Sequence, residues 1–228
     1  QGSVCSPVLA NIYMHYVLIW WFKERIQPTL AGFSGLVVYA DDFVVCFQYK
    51  DEAEAFYKKL GERMEHFGLS LEKEKSRLIE FGRYAESNRR KSGTGKPETF
   101  TFLGFTHYCS HAKSGKFRVK RKTSRKKFNK KLKEMHALLR EMVVVIGLPI
   151  KDVIKKLNQI LVGYYHYYGI TDNAEMLSNF KFRVTQILFK CLNRRSQKKS
   201  YNWDEFNDLL KDFPLARPKI YVSIYGIS

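Results

Sequence analysis

The sequence predicts an α+β fold in two parts, and three observations predict it. Strand-like and helical runs alternate up to about residue 110, a strongly basic stretch follows, and beyond it the apolar residues recur at helical spacing. The chain has 228 residues, 45% hydrophobic and 15% aromatic, enough for a packed core in one large domain or two small ones. We place the boundary at the composition shift, with domains over 1–110 and 111–228.

The elements follow in order. Ser6-Pro7 is a helix start, a capping side chain followed by proline, and the apolar residues after it predict a helix from about Pro7 to Ile26, ended by Pro28. Gly32 to Gly35 make a turn before the strand-like runs 36–40 and 43–47, which flank Asp41-Asp42 as a hairpin. Asp51 caps a second helix with Ala55, Leu60, Met64 and Phe67 as its apolar positions and Gly68 as its stop. The polar stretch 85–97 reads as a surface loop, and 100–105 as a strand broken by Gly104. From Lys113 to Lys133 there are 12 basic residues in 21 and no acid, leading into a helix with Phe128, Leu132, Met135, Leu139, Met142 and Ile146 inward. Two more helical patterns run through Ile150 to Tyr168 and Leu177 to Cys191, so the second part is predicted as an all-α three-helix bundle.

Composition and spacing also bound the chemistry. Lys and Arg number 40 against 22 Asp and Glu, a net charge of +18, which points first to nucleic acid and more weakly to an anionic membrane. No apolar run reaches the length of a membrane span, there is no basic leader with a cleavage site, and an intracellular location is expected. Cys5, Cys46, Cys109 and Cys191 form no CxxC pair to accompany the lone Hx3H spacing of His107 and His111, and no HExxH is present, so zinc chemistry has little support. Neither a GxxxxGK[ST] loop nor a GxSxG elbow is present, which argues against an ATP-driven helicase and a serine hydrolase. Gln1 is no initiator methionine and the chain opens directly on a motif, so a fragment is expected.

Asp41 and Asp42 are the sharpest feature. Adjacent carboxylates at a hairpin mouth could hold Mg²⁺ bridging to a triphosphate; taken alone, they read more readily as solvated turn residues. Their surroundings decide. Tyr39-Ala40-Asp41-Asp42 between apolar strands resembles the active-site box of reverse transcriptases, and residues 1–13, QGSVCSPVLANIY, resemble the segment that precedes it. Gly68-Leu69-Ser70-Leu71 with the mixed-charge run ending at Lys75-Ser76 resembles the next block, and Phe102-Leu103-Gly104-Phe105 resembles the primer grip. Residues 157–168, LNQILVGYYHYY, with Asn193-Arg194-Arg195-Ser196-Gln197-Lys198 and Tyr201-Asn202-Trp203, are similar to the maturase domain of group II intron-encoded reverse transcriptases.

That resemblance implies a partial reverse-transcriptase palm, an antiparallel sheet with helices, followed by the helical thumb. It implies Asp41 as a Mg²⁺ ligand with Asp42 as a weaker or supporting one, Lys75 at the leaving pyrophosphate, and Gln1, Gly2, Tyr39 and Ala40 at the nucleotide and template. Phe102, Leu103, Gly104 and Phe105 would hold the primer, although an ordinary core strand explains them as well. In bottom-up terms Lys120, Arg121, Lys122, Arg125 and Lys126, with Arg194 and Arg195, offer phosphate contacts, and tyrosines beside them offer rings for unpaired bases. Tyr164 and Tyr168 fall on the apolar stripe of their helix, whereas Tyr165 and Tyr167 do not, which makes the latter pair the expected RNA contacts.

The implied activity is RNA-directed DNA polymerisation with intron splicing and retrohoming, using Mg²⁺, deoxynucleoside triphosphates, a DNA primer or target and group II intron RNA, in a bacterial cytoplasm. The family draws a further carboxylate from an earlier palm strand, so this chain is expected to be catalytically incomplete. A different class stays open, an RNA-binding splicing module that polymerises nothing. A retron-type reverse transcriptase fits less well because of residues 157–168. Oligomeric state is not legible.

Overall fold

The computed structural model describes residues 5–72, 74–112, 114–195 and 200–223. Gln1, Gly2, Lys73, Lys113, Ser196, Gln197 and Lys198 lie outside the described residues. The fold is mixed α/β with small antiparallel sheets, and the chain divides into two compact units, 1–98 and 99–228.

In the first unit, helix α1 (Ser6–Met14) starts after Cys5 without a side-chain cap, so Ser6 is the first helical residue, not the capping one. The expected long helix then widens. Residues His15–Trp20 and Phe22–Ile26 form π-helical turns before a single 3-10 turn at Gln27–Thr29. Arg63 braces this stretch, its Nε donating to Val17 O at 3.1 Å and its Nη2 to Tyr16 O at 3.3 Å. Strands β1 (Ser34–Tyr39) and β2 (Asp42–Phe47) form an antiparallel hairpin, and helix α2 (Lys50–His66) follows.

Alternation sends Leu36, Val38, Phe43, Val45 and Phe47 onto a core that includes Val17, Leu18, Phe22, Phe56, Leu60 and Met64. The rings of Phe22, Phe47 and Phe56 lie 5.1 to 6.3 Å apart. The inward positions of α2 are Ala53, Phe56, Leu60 and Met64; Ala55, expected inside, is exposed. Gly68 stops the helix as expected, with φ 67° and Leu69 N–H returning to Met64 O at 2.8 Å. The expected loop over 85–97 instead opens with the short helix α3 (Ala85–Lys91), and Arg89 pairs with Glu98 at 3.5 Å.

The second unit begins with a three-stranded antiparallel sheet in the order β3 (Phe100–Phe102), β4 (Phe105–His111), β5 (Phe117–Thr123). The composition shift near residue 110 therefore falls inside a β4–β5 hairpin, and the unit that follows is not all-α. Ser124 caps helix α4 (Arg125–Arg140), which continues in a π-helical turn at Glu141–Val145, leaving Ile146 exposed instead of inward. Helices α5 (Ile150–Tyr168) and α6 (Ala174–Leu192) complete the expected three. A fourth helix, α7 (Trp203–Asp212), starts with a reciprocal capping box between Asn202 and Glu205. Phe128, Leu139, Leu157, Leu161, Phe180 and Phe206 are among the residues buried in the common core.

Two asparagines bind this unit together. Asn173 is fully buried; its Oδ1 accepts from Thr123 N at 2.8 Å, and its Nδ2 donates to Thr123 Oγ1 and Tyr168 O, each at 2.8 Å. Asn158 clasps the segment after α7, donating to Pro214 O at 2.9 Å and accepting from Ala216 N at 2.8 Å. That segment returns across the end of α5, where Tyr221 N donates to Gly169 O at 2.7 Å and Thr171 N to Val222 O at 3.1 Å. A side chain at Gly169 would collide with Tyr165 O and Lys219 O, so the crossing needs glycine.

Candidate active site and nucleic-acid interface

The register of β1 and β2 pairs Tyr39 with Asp42, leaving Ala40 and Asp41 as a two-residue turn. Ala40 has φ 52°, the left-handed backbone that such turns require at their first position. Asp42 shares a sheet face with Tyr39, Val37 and Val44, opposite the core, and Tyr39 is 63% exposed. Both carboxylates are exposed, and neither has an ion-pair or hydrogen-bond partner among the described residues. As hard oxygen donors with nothing competing for them, they fit Mg²⁺, which takes one or two carboxylates and fills its remaining positions from elsewhere. Among the described residues no three His, Cys, Asp or Glu side chains gather into a metal site.

Lys75 is exposed on the turn after Glu72, its N–H donating to Glu72 O at 3.0 Å. Tyr57 holds this turn by donating to Ser76 O at 3.2 Å. Among the described residues no hydrogen bond or ion pair links Lys75 to the Asp pair.

The segment 102–105 is a tight hairpin end, not a strand with a break. Phe102 pairs with Phe105, and Leu103 (φ 49°) and Gly104 (φ 80°) form the turn. It rests on the end of α5. Tyr167 donates from its hydroxyl to Leu103 O at 3.0 Å and lies parallel to Phe105 at 6.1 Å, while Tyr168 meets Phe105 edge-on at 5.3 Å. Gly104 O accepts from Ser124 N at 2.8 Å, and a Cβ on Gly104 would sit 3.1 Å from Tyr168 Oη.

Strand β5 divides the basic cluster. Lys120 and Lys122 share a face with Thr106 and Tyr108, and Lys122 Nζ stands 5.2 Å from the Tyr108 ring centre. Arg121 lies on the opposite face, paired across the strands with His107, whose ring stacks on Phe100 at 4.7 Å. Burial first, and then the Arg121 charge, hold the His107 imidazole below its ordinary pKa. Arg125 and Lys126 are exposed in the first turn of α4. Arg194 and Arg195 are exposed just past α6, and Arg195 donates to Gly147 O at 3.4 Å.

The two tyrosines expected at RNA part company. Tyr167 is 56% exposed, whereas Tyr165 is 0% exposed and donates to Ala216 O at 3.4 Å. Tyr165 cannot present its ring to a base, because the segment clasped by Asn158 covers the side of α5 that the apolar stripe leaves open. Asn158, Gly169 and Asn173 were not singled out from sequence, since their partners lie roughly fifty residues away along the chain.

Residues 1–107 match the family model for reverse transcriptase (RNA-dependent DNA polymerase), and residues 125–207 match that for the group II intron, maturase-specific domain. No curated protein and no solved structure matches the chain. No helix among the described residues is long and apolar enough to cross a membrane. The two family matches run in succession over most of the chain, the first carrying the Asp41–Asp42 hairpin and the second the tyrosine-rich helix, and the chain belongs with the group II intron-encoded reverse transcriptase/maturases.

Proposed function

We propose that the protein acts as an RNA-directed DNA polymerase and as a maturase on group II intron RNA, in splicing and retrohoming within a bacterial cytoplasm. The observation that carries this reading is the exposed carboxylate pair at the β1–β2 turn, set in a segment that matches reverse transcriptases. Residues 1–110 are assigned to the palm and 111–228 to the thumb.

Asp41 and Asp42 would hold Mg²⁺, which when bound would activate the primer hydroxyl and neutralise charge growing on the triphosphate. Asp41 is the principal ligand and Asp42 the supporting one. Gln1, Gly2, Tyr39 and Ala40 contact the incoming deoxynucleotide and the template. Lys75 stabilises the departing pyrophosphate. The hairpin 102–105 holds the primer end, and Lys120, Arg121, Lys122, Arg125, Lys126, Arg194 and Arg195 draw in RNA through its phosphates. Tyr167 remains the aromatic candidate for an unpaired base. A further carboxylate, from a palm strand upstream, would complete the metal site.

A second reading keeps the RNA binding and drops the polymerisation. It is favoured by the Asp pair having no third ligand beside it among the described residues. One experiment separates the two: primer extension on an RNA template in Mg²⁺, with intron RNA affinity measured on the same protein. Extension abolished by Asp41→Ala with RNA affinity unchanged supports the polymerase. Tight intron binding with no extension by the unaltered chain makes this chain, as it stands, an RNA-binding splicing module, and extension that returns once the upstream palm strand is joined to it restores the polymerase reading.

A further inference from the structure

We propose that Tyr167 is a positioning residue, anchoring the turn of the 102–105 hairpin so that a primer terminus meets a fixed surface. The proposal rests on the reading of that hairpin as a primer grip. It adds a role for a residue of the maturase-matching segment in the part of the chain that matches reverse transcriptases.

The hairpin needs an external anchor. Strand β3 has only three residues, and its pairing with β4 ends in a turn where Leu103 holds φ 49°, a backbone that a leucine adopts at a cost. The end of α5 offsets that cost. The Tyr167 hydroxyl bonds the carbonyl of the strained residue at 3.0 Å, and its ring lies parallel to Phe105 with 12° between the planes. On the other side of the turn Gly104 is held by Ser124 N at 2.8 Å and closed over by Tyr168. The turn is thus fixed from both sides by groups outside the hairpin.

Tyr167 is the separable part of this clamp. It is half-exposed, so removing its hydroxyl opens no core, whereas Tyr164 and Tyr165 are buried. Because the hydroxyl donates to Leu103 O, what Tyr167 can still offer RNA is its ring face and an acceptor oxygen.

The test uses the full chain and its Tyr167→Phe variant, which keeps the ring on Phe105. Affinity is measured for an RNA/DNA duplex with a recessed primer end, for a blunt duplex and for intron RNA, and backbone amide exchange is followed over residues 100–107. The expected result is faster exchange in the hairpin and a loss of about threefold to tenfold in preference for the recessed end, the size of one neutral hydrogen bond. Because the ring is kept, any loss of intron RNA affinity should be smaller than the loss of preference for the recessed end. Unchanged exchange together with unchanged preference overturns the anchoring role. A parallel loss for all three ligands overturns it in favour of a plain RNA contact. A wild-type chain that does not distinguish recessed from blunt ends removes the primer-grip reading, and the proposal with it, whatever the exchange shows.

Discussion

Asn173 grips Thr123 at both ends of its amide, accepting from the backbone N–H and donating to the side-chain oxygen, each at 2.8 Å. The residue stands where a helix cap would, yet its side chain makes no bond to α6 and is given instead to the last residue of β5 and to Tyr168 O. Asn173→Ala leaves the buried Thr123 N–H without its partner and Tyr168 O with only the Ile170 N–H, and should cost about 1 to 3 kcal/mol in urea unfolding. Asn173→Asp can still accept from Thr123 N but cannot donate, and should also destabilise. A loss below about 0.5 kcal/mol for the alanine variant would show that the site relaxes or takes up water.

Burial of Tyr165 sets a contrast between two substitutions. Tyr165→Ala empties a core site and should cost about 3 to 5 kcal/mol, read from the denaturant midpoint. Tyr165→Phe gives up only a long bond to Ala216 O at 3.4 Å and should cost under about 1 kcal/mol with intron RNA affinity unchanged. A folded Tyr165→Phe protein that binds RNA several-fold more weakly would return this residue to the interface.

The two faces of β5 make separate contributions to RNA binding. Lys120→Glu with Lys122→Glu should reduce the slope of log affinity against log salt by about 1.5 to 2, the effect of losing two phosphate contacts. Arg121→Gln, on the face shared with His107, should change the slope less than either lysine and alter stability more. Equal slope changes for all three positions would mean that the strand is wrapped by RNA on both sides.

His107 supplies a pH dependence of definite sign. Its imidazole is held below the ordinary pKa of 6.5 by burial and by Arg121, so the unfolded chain binds the proton more readily than the folded one. This contribution to stability is complete above about pH 6.5 and is lost as pH falls through the window beneath it. Thermal unfolding between pH 7.5 and pH 5 should show the decline, and His107→Gln should flatten it.

Where periodicity and punctuation agreed, the elements could be read directly. The ranges of α5 and α6 and the stop at Gly68 follow from local spacing, and so does the hairpin around Asp41, although its turn lies one residue earlier than the expected Asp41-Asp42, at Ala40-Asp41, with Asp42 paired to Tyr39. Strand β5 was hidden because its outward face is Arg118, Lys120 and Lys122, and Arg121 interrupts the apolar alternation on the other face, so a period of two looked like a charge run. Ala55 reads as inward because the two residues that are buried, Ala53 and Phe56, lie within one turn of it and alanine fits either register. Tyr165 was placed outside because a stripe drawn from one helix knows nothing of a segment some fifty residues later that covers its flank. The Asp pair was visible as chemistry, but its lack of a third carboxylate neighbour among the described residues is a fact of three dimensions.

The clasp of Asn158 on residues 214 and 216, and of Gly169 on residues 221 and 222, bears on how the protein is made. As the chain leaves the ribosome, α5 emerges some fifty residues ahead of the segment that covers Tyr165, which is several seconds at ordinary translation rates of about 5 to 20 residues per second. During that interval the tyrosine-rich helix waits with an uncovered flank. A nascent chain halted before residue 214 should therefore engage chaperones, or intron RNA, through a surface that the finished protein has closed.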